Sequence, residues 1–169
     1  MARWWLPLLV VACSSTAAPL ANTQPAPAAP QLTDRDAVVA AVLERFLADP
    51  KTLPDHGILP ATGPIYVLAE LDDHRAVTPA ALPRAPRPFK LATQREIDGE
   101  ADRTNQPVHY IRFYGLEIHG DAATIGSGVD LAIPKASNAI KMCCCSATDR
   151  YEKRAGRWTF ASRGMSICS

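Results

Sequence analysis

The chain has 169 residues, 47% of them hydrophobic and 21% charged, a composition that fits one globular domain with an extension and excludes a disordered chain or two full domains. Its formal net charge is +1, and all seventeen acids and seventeen of its eighteen bases follow Pro30. A neutral domain without a basic stripe lacks what phosphate-backbone binding requires, so nucleic acid is excluded as a partner and anionic lipid exerts no electrostatic pull.

Residues 1–12 read as a signal peptide. Arg3 precedes an apolar run from Trp4 to Ala12, far short of the roughly 20 residues that span a bilayer. Val10-Val11-Ala12-Cys13 resembles the bacterial lipobox, which implies lipidation of Cys13; ordinary cleavage further on, for instance after Ala21, would instead discard that cysteine. Residues 13–30 are small, uncharged and rich in proline, a composition suited to an extended tether. Residues 31–169 are then a single domain. These signals predict an exported protein, periplasmic or held at the cell envelope by its N-terminal lipid.

Thr33-Asp34-Arg35-Asp36 has the form of a capping box and opens the first helix. Val38, Val42 and Phe46 form one i,i+4 row and Val39, Leu43 and Leu47 the next, which leaves Arg35, Glu44 and Arg45 on the wet side. Asp49-Pro50 stops the helix. Residues 51–64 are irregular, broken by Pro54, Pro60 and Pro64, and 65–71 form a short strand. A second proline-rich loop covers 76–89. Thr93-Gln94-Arg95-Glu96 is a cleaner capping box and predicts a short polar helix through about Arg103, with Ile97 and Ala101 as its contact line.

The remainder reads as a meander of four strands. Residues 108–119 need a bulge near Tyr114-Gly115 to bring Ile111, Phe113, Leu116 and Ile118 to one face. Residues 124–133 follow, and 139–153 with 157–168 make a final hairpin around Ala155-Gly156. A tight turn there sets Lys153 opposite Trp158, Tyr151 opposite Phe160, Cys145 opposite Ser166 and Cys143 opposite Cys168. Tyr151, Trp158, Phe160 and Cys143, Cys145 and Cys168 share the core face, while Thr148, Arg150, Glu152 and Arg163 take the solvent face. Lys153, Asp149 and Ser162 are the exceptions to this sorting. A three-residue turn would place Cys144 opposite Cys168 instead.

In an oxidising compartment the expected chemistry of this cluster is a cross-strand disulfide between Cys143 and Cys168. The rival is a soft-metal or redox site in which Cys143, Cys145 and Cys168 present three sulfurs, although no CxxC spacing or neighbouring histidine supports it. Asp149 shares a face with Tyr151, which makes these two the candidate for an inward acid in an enzyme pocket. Asp55-His56-Gly57 reads as a turn, Asp72-Asp73-His74 as solvated loop, and His109 and His119 as edge histidines. No GxSxG, HExxH, P-loop or dinucleotide fingerprint occurs, so no cofactor is expected.

The ending CCCSATDRYEKRAGRWTF resembles a pattern in bacterial exported proteins and lipoproteins, in which a cysteine run precedes a tyrosine strand and a Gly-Arg-Trp hairpin; residues 93–113 (TQREIDGEADRTNQPVHYIRF) resemble the same group. A looser similarity is to NTF2-like and cystatin-like domains, which implies helices on a curved antiparallel sheet. Those folds host enzymes, ligand pockets and dimerisation modules alike.

The expected architecture is α+β: an N-terminal helix and a short second helix packed on a curved, mainly antiparallel sheet of about five strands. The expected function is that of a non-enzymatic envelope module binding a small ligand or a protein through loops 51–64 and 76–89. The alternatives are a thiol or metal protein built on Cys143, Cys145 and Cys168, and an enzyme built on Asp149 and Tyr151.

Overall fold

The structure, a computed structural model, describes residues 32–71, 74–138 and 144–168. The expected signal peptide, Cys13, the tether, Asp72-Asp73 and Cys143 lie outside the described residues. The elements are α1 (Asp34–Ala48), β1 (Ile65–Leu68), β2 (Phe89–Ala92), α2 (Gln94–Thr104), β3 (Val108–His119), β4 (Ala122–Ala132), β5 (Cys145–Arg154) and β6 (Arg157–Cys168). Three single-turn 3-10 helices, Pro50–Thr52, His56–Ile58 and Pro79–Ala81, punctuate the proline-rich loops.

The fold is α+β, as expected, but the sheet has six strands rather than about five, in the order β2-β1-β3-β4-β5-β6. It is also mixed. β1 pairs parallel with both β2 and β3, and the remaining neighbours are antiparallel. The additional strand is β2, whose four residues follow Pro86 and Pro88 and carry too short a pattern to be read alone. β1 supplies the ladder that makes it a strand, a case of tertiary pairing overriding local propensity. Because α2 leaves β2 and enters β3 while β1 lies between them, the three strands run parallel.

The helices cover opposite faces. Thr33 caps α1 by accepting from the Asp36 N–H, and Val38, Val39, Val42, Leu43 and Phe46 pack on Val67, Ile111, Phe113, Ile125 and Val129. Each such side chain contributes about 1.5–3 kcal/mol relative to an exposed one. Asp36 departs from a simple capping role. It is buried, and its carboxylate accepts from the Thr78 N–H at 3.1 Å and the Thr78 hydroxyl at 3.0 Å, tying the start of α1 to the second loop. On the other face Ile97 and Ala101 of α2 meet Leu68, Ala92, Tyr110 and Ala132. The capping box at Thr93 is complete, with Glu96 reaching back to the cap N–H.

The bulge in β3 is where the sequence requires it. The register shifts between Tyr114 and Glu117, Gly115 adopts φ 57°, and Leu116 joins Ile111 and Phe113 in one core. Opposite it, β4 carries two glycines for a steric reason. A Cβ on Gly126 would lie 2.2 Å from the Tyr114 ring, and one on Gly128 would lie 2.6 Å from the Cys145 carbonyl oxygen.

Two glycines test this packing in opposite directions. Gly128→Ala pushes against backbone that cannot swing aside and is expected to cost about 1–3 kcal/mol. Gly99→Ala, in the exposed interior of α2 with nothing within 4 Å of the added carbon, is expected to stabilise by about 0.5–1 kcal/mol. Urea denaturation of the two variants checks both signs.

Candidate functional site

Ala155 and Gly156 both adopt positive φ, 48° and 78°, the conformation that a two-residue hairpin turn demands. The pairing it sets is the expected one: Arg154 faces Arg157, Lys153 faces Trp158 and Tyr151 faces Phe160. Beyond that point β6 departs from expectation. It gains one residue between Phe160 and Ser162 and another between Arg163 and Ser166, so Asp149 faces Arg163 and Cys145 faces Cys168. Two bulges have displaced the ladder by two residues.

The first consequence is a correction to the disulfide. Cys168 is joined to Cys145, not to Cys143, with 4.0 Å between the Cα atoms. Cys144 is also disulfide-bonded. With their sulfurs joined, Cys145 and Cys168 offer no thiolate to a soft ion, and among the described residues no three His, Cys, Asp or Glu side chains are grouped to hold a metal.

The second consequence corrects Arg163, which the uninterrupted register assigns to solvent. The bulge turns it onto Asp149, whose residue is 1% exposed. Arg163 Nε donates to Asp149 Oδ1 at 2.9 Å, and Arg163 Nη2 donates to Asp149 Oδ2 at 3.2 Å and to the Thr52 carbonyl. Arg45, expected on the wet side of α1, reaches inward as well. Its Nη1 donates to Asp149 Oδ2 at 2.6 Å, and its guanidinium lies over the Phe160 ring with 3.4 Å to the centroid. Phe160 in turn meets Tyr151 edge-on at 6.0 Å. One carboxylate thus ties α1, β5, β6 and the turn after α1 together.

Asp149 and Tyr151 share the inner face, as expected, and the Asp149 carboxylate is engaged by Arg45 and Arg163. Both carboxylate oxygens accept from arginine, Oδ1 once and Oδ2 twice. The Tyr151 hydroxyl is buried and makes no hydrogen bond. Burial pushes that phenol up, with the nearby Arg45 guanidinium opposing the shift. A phenol displaced in this direction is not a base at neutral pH. Shallow grooves lie elsewhere: one of about 480 Å³ between Ala37, Ala41 and Trp158, and one of about 660 Å³ beside Leu116 and His119.

The remaining candidates are spread across the surface. His56 sits in a 3-10 turn with Nδ1 3.2 Å from the Leu53 carbonyl, and His119 is exposed beside Glu117. Burial lowers the His109 pKa. The proline-rich loops are packed down by Leu53, Val77 and Ala81, all buried. In the first of them Asp55 accepts from the Cys145 N–H, which anchors the start of β5.

Among the described residues, the strand left open is β6. Its twelve residues form one edge of the sheet, and all but Trp158 are exposed. Met165 is 68% and Ile167 57% exposed, and Phe160 shows part of its ring. The opposite edge, β2, has four residues, an exposed Lys90 and prolines immediately before it, which are the usual means of blunting an edge. Comparison of the chain with family models, with curated proteins and with solved structures finds no match.

Substitutions separate clamp from chemistry. Asp149→Ala is expected to cost about 2–3 kcal/mol, below the 3–5 typical of breaking a fully buried pair because both arginines keep contact with water. Tyr151→Phe removes an unsatisfied hydroxyl and is expected to be neutral or stabilising. Denaturant midpoints of the two variants check this contrast.

An alkaline titration tests the buried phenols. The Tyr110 pKa is pushed up to about 12 by burial, and Tyr151 is raised for the same reason. Because the folded values exceed the ordinary value of about 10, their contribution to stability is complete below that pH and is lost as pH rises through the folded values. Phenolate absorbance is expected to show Tyr110 and Tyr151 ionising late, together with unfolding.

Proposed function

We propose that this chain is a protein-binding module of the cell envelope that accepts an extended strand along β6. The observation that carries the reading is the long open edge ending in exposed Met165 and Ile167. An edge of this kind presents an unfilled row of backbone donors and acceptors, and side chains of alternate parity supply selectivity. Disulfide bonding at Cys145–Cys168 fits the oxidising compartment of an exported protein. No described helix is long and apolar enough to cross a membrane, so attachment to the envelope would rest on the N-terminal lipobox-like segment.

A binding role also agrees with how β6 is held. The Asp149 clamp and the disulfide fix the strand at two points, so little ordering entropy opposes the docking of a partner. The grooves beside α1 and β3 are broad and open, which suits a protein surface better than the enclosed pocket of a small-molecule site. Catalysis by Asp149 and Tyr151 and metal binding by the cysteines find no comparable support.

The test uses a synthetic eleven-residue peptide of alternating valine and threonine, a sequence-neutral strand former, labelled with a fluorophore. Strand acceptance predicts a rise in anisotropy with a dissociation constant of roughly 1–100 μM, as befits a small interface. The same peptide with proline at alternate positions is expected not to bind. Equal binding of the two peptides, or binding of neither, contradicts the reading.

A further inference from the structure

We infer that the strand taken up by β6 is β6 of a second copy, paired antiparallel about a two-fold axis into a continuous twelve-stranded sheet. This rests on the strand-accepting reading of the edge and names its partner. Among the described residues the sheet has one long open edge and one short blunted edge. Pairing through β6 alone uses up the open edge in both copies and stops at two, whereas two open edges would propagate a fibre.

The chemistry of β6 suits self-pairing. From Trp158 to Cys168 it holds no proline, no lysine and no acid, so its two bulges and the inward-turned Arg163 are the features of that stretch that oppose a second strand. Its only charge in that span is Arg163, already committed to Asp149 and to the Thr52 carbonyl. An axis near Gly164 sets the stretches from Phe160 to Cys168 of the two copies side by side, and apart from the inward-turned Arg163 their side chains are small or apolar. The two Arg157 residues, at the far ends of the strands, then stand about 45 Å apart at the ordinary strand rise, beyond the range at which salt leaves any repulsion.

The strand is also held ready for this. β6 is extended throughout, clamped at its middle by Asp149 and at its end by Cys145. Pairing therefore orders little that is not already ordered. The contact amounts to a single ladder with Phe160, Met165 and Ile167 beside it, smaller than a standard interface, so the dimer should be reversible at micromolar concentration.

Light scattering on the full-length chain tests the proposal. The expected result is a concentration-dependent doubling of the 18.2 kDa mass over about 1–200 μM. Met165→Lys/Ile167→Lys, at two exposed positions that leave the core untouched, should remain monomeric with an unchanged circular dichroism spectrum and Tm. A dimer that persists in this variant places the contact elsewhere and overturns the proposal. A monomeric wild-type chain at every concentration overturns it too, and peptide binding then decides whether the edge still accepts a different strand. Hydrogen exchange of the wild-type chain needs no variant: β6 amides should gain protection on concentration, and unchanged β6 exchange on concentration contradicts self-pairing.

Discussion

The buried carboxylate of Asp149 is the constraint on which the final hairpin depends. A carboxylate withdrawn from water costs several kcal/mol unless cations and hydrogen bonds replace its hydration. Here three donations from two arginines do so. Arg163 can take part only if β6 gains a residue before it, and that bulge moves every later residue of β6 relative to β5. The position of the disulfide follows from it. With the second bulge near Gly164, the ladder reaches Cys145 when it arrives at Cys168. A charge in the wrong place for a simple hairpin thus selects the register of the whole strand.

The same clamp explains why β6 stays extended beyond the reach of α1. Only Trp158 of β6 is buried, so apolar burial holds the strand at one end alone. From Phe160 onward the holding forces are the β5 ladder, the Asp149 network and the disulfide. These act from one side and leave the opposite edge in water. A strand held rigidly on one side and open on the other has the form that strand addition uses, and the proposed function grows from that asymmetry.

Much of this architecture was legible in the residues. The capping signals at Thr33 and Thr93, the i,i+4 rows of α1 and the parity break at Gly115 are local patterns, and each produced the element it implies. The strand β2 was not legible, because four residues behind two prolines become a strand only through pairing with β1. In the candidate site, Asp149 stood out as a carboxylate on the core face, but its partners did not. Arg45 lies 104 positions away on a helix face that looked solvated. Arg163 changes face only because of a bulge that leaves no glycine or turn signal before it. The cysteine pairing inherited that same missing residue and its successor. A buried charge at the core parity of a strand was nevertheless a signal that arginines had to be found for it.

The most direct test of this account is amide hydrogen exchange in the wild-type chain and in Asp149→Asn, compared at the C-terminal turn of α1 and along β6. If one carboxylate locks these segments together, exchange around Arg45 and from Phe160 to Cys168 should accelerate together, while α2 and β1 keep their wild-type protection. Unaltered exchange in β6, or acceleration confined to β5, would contradict the clamp and the strand-presenting role built upon it.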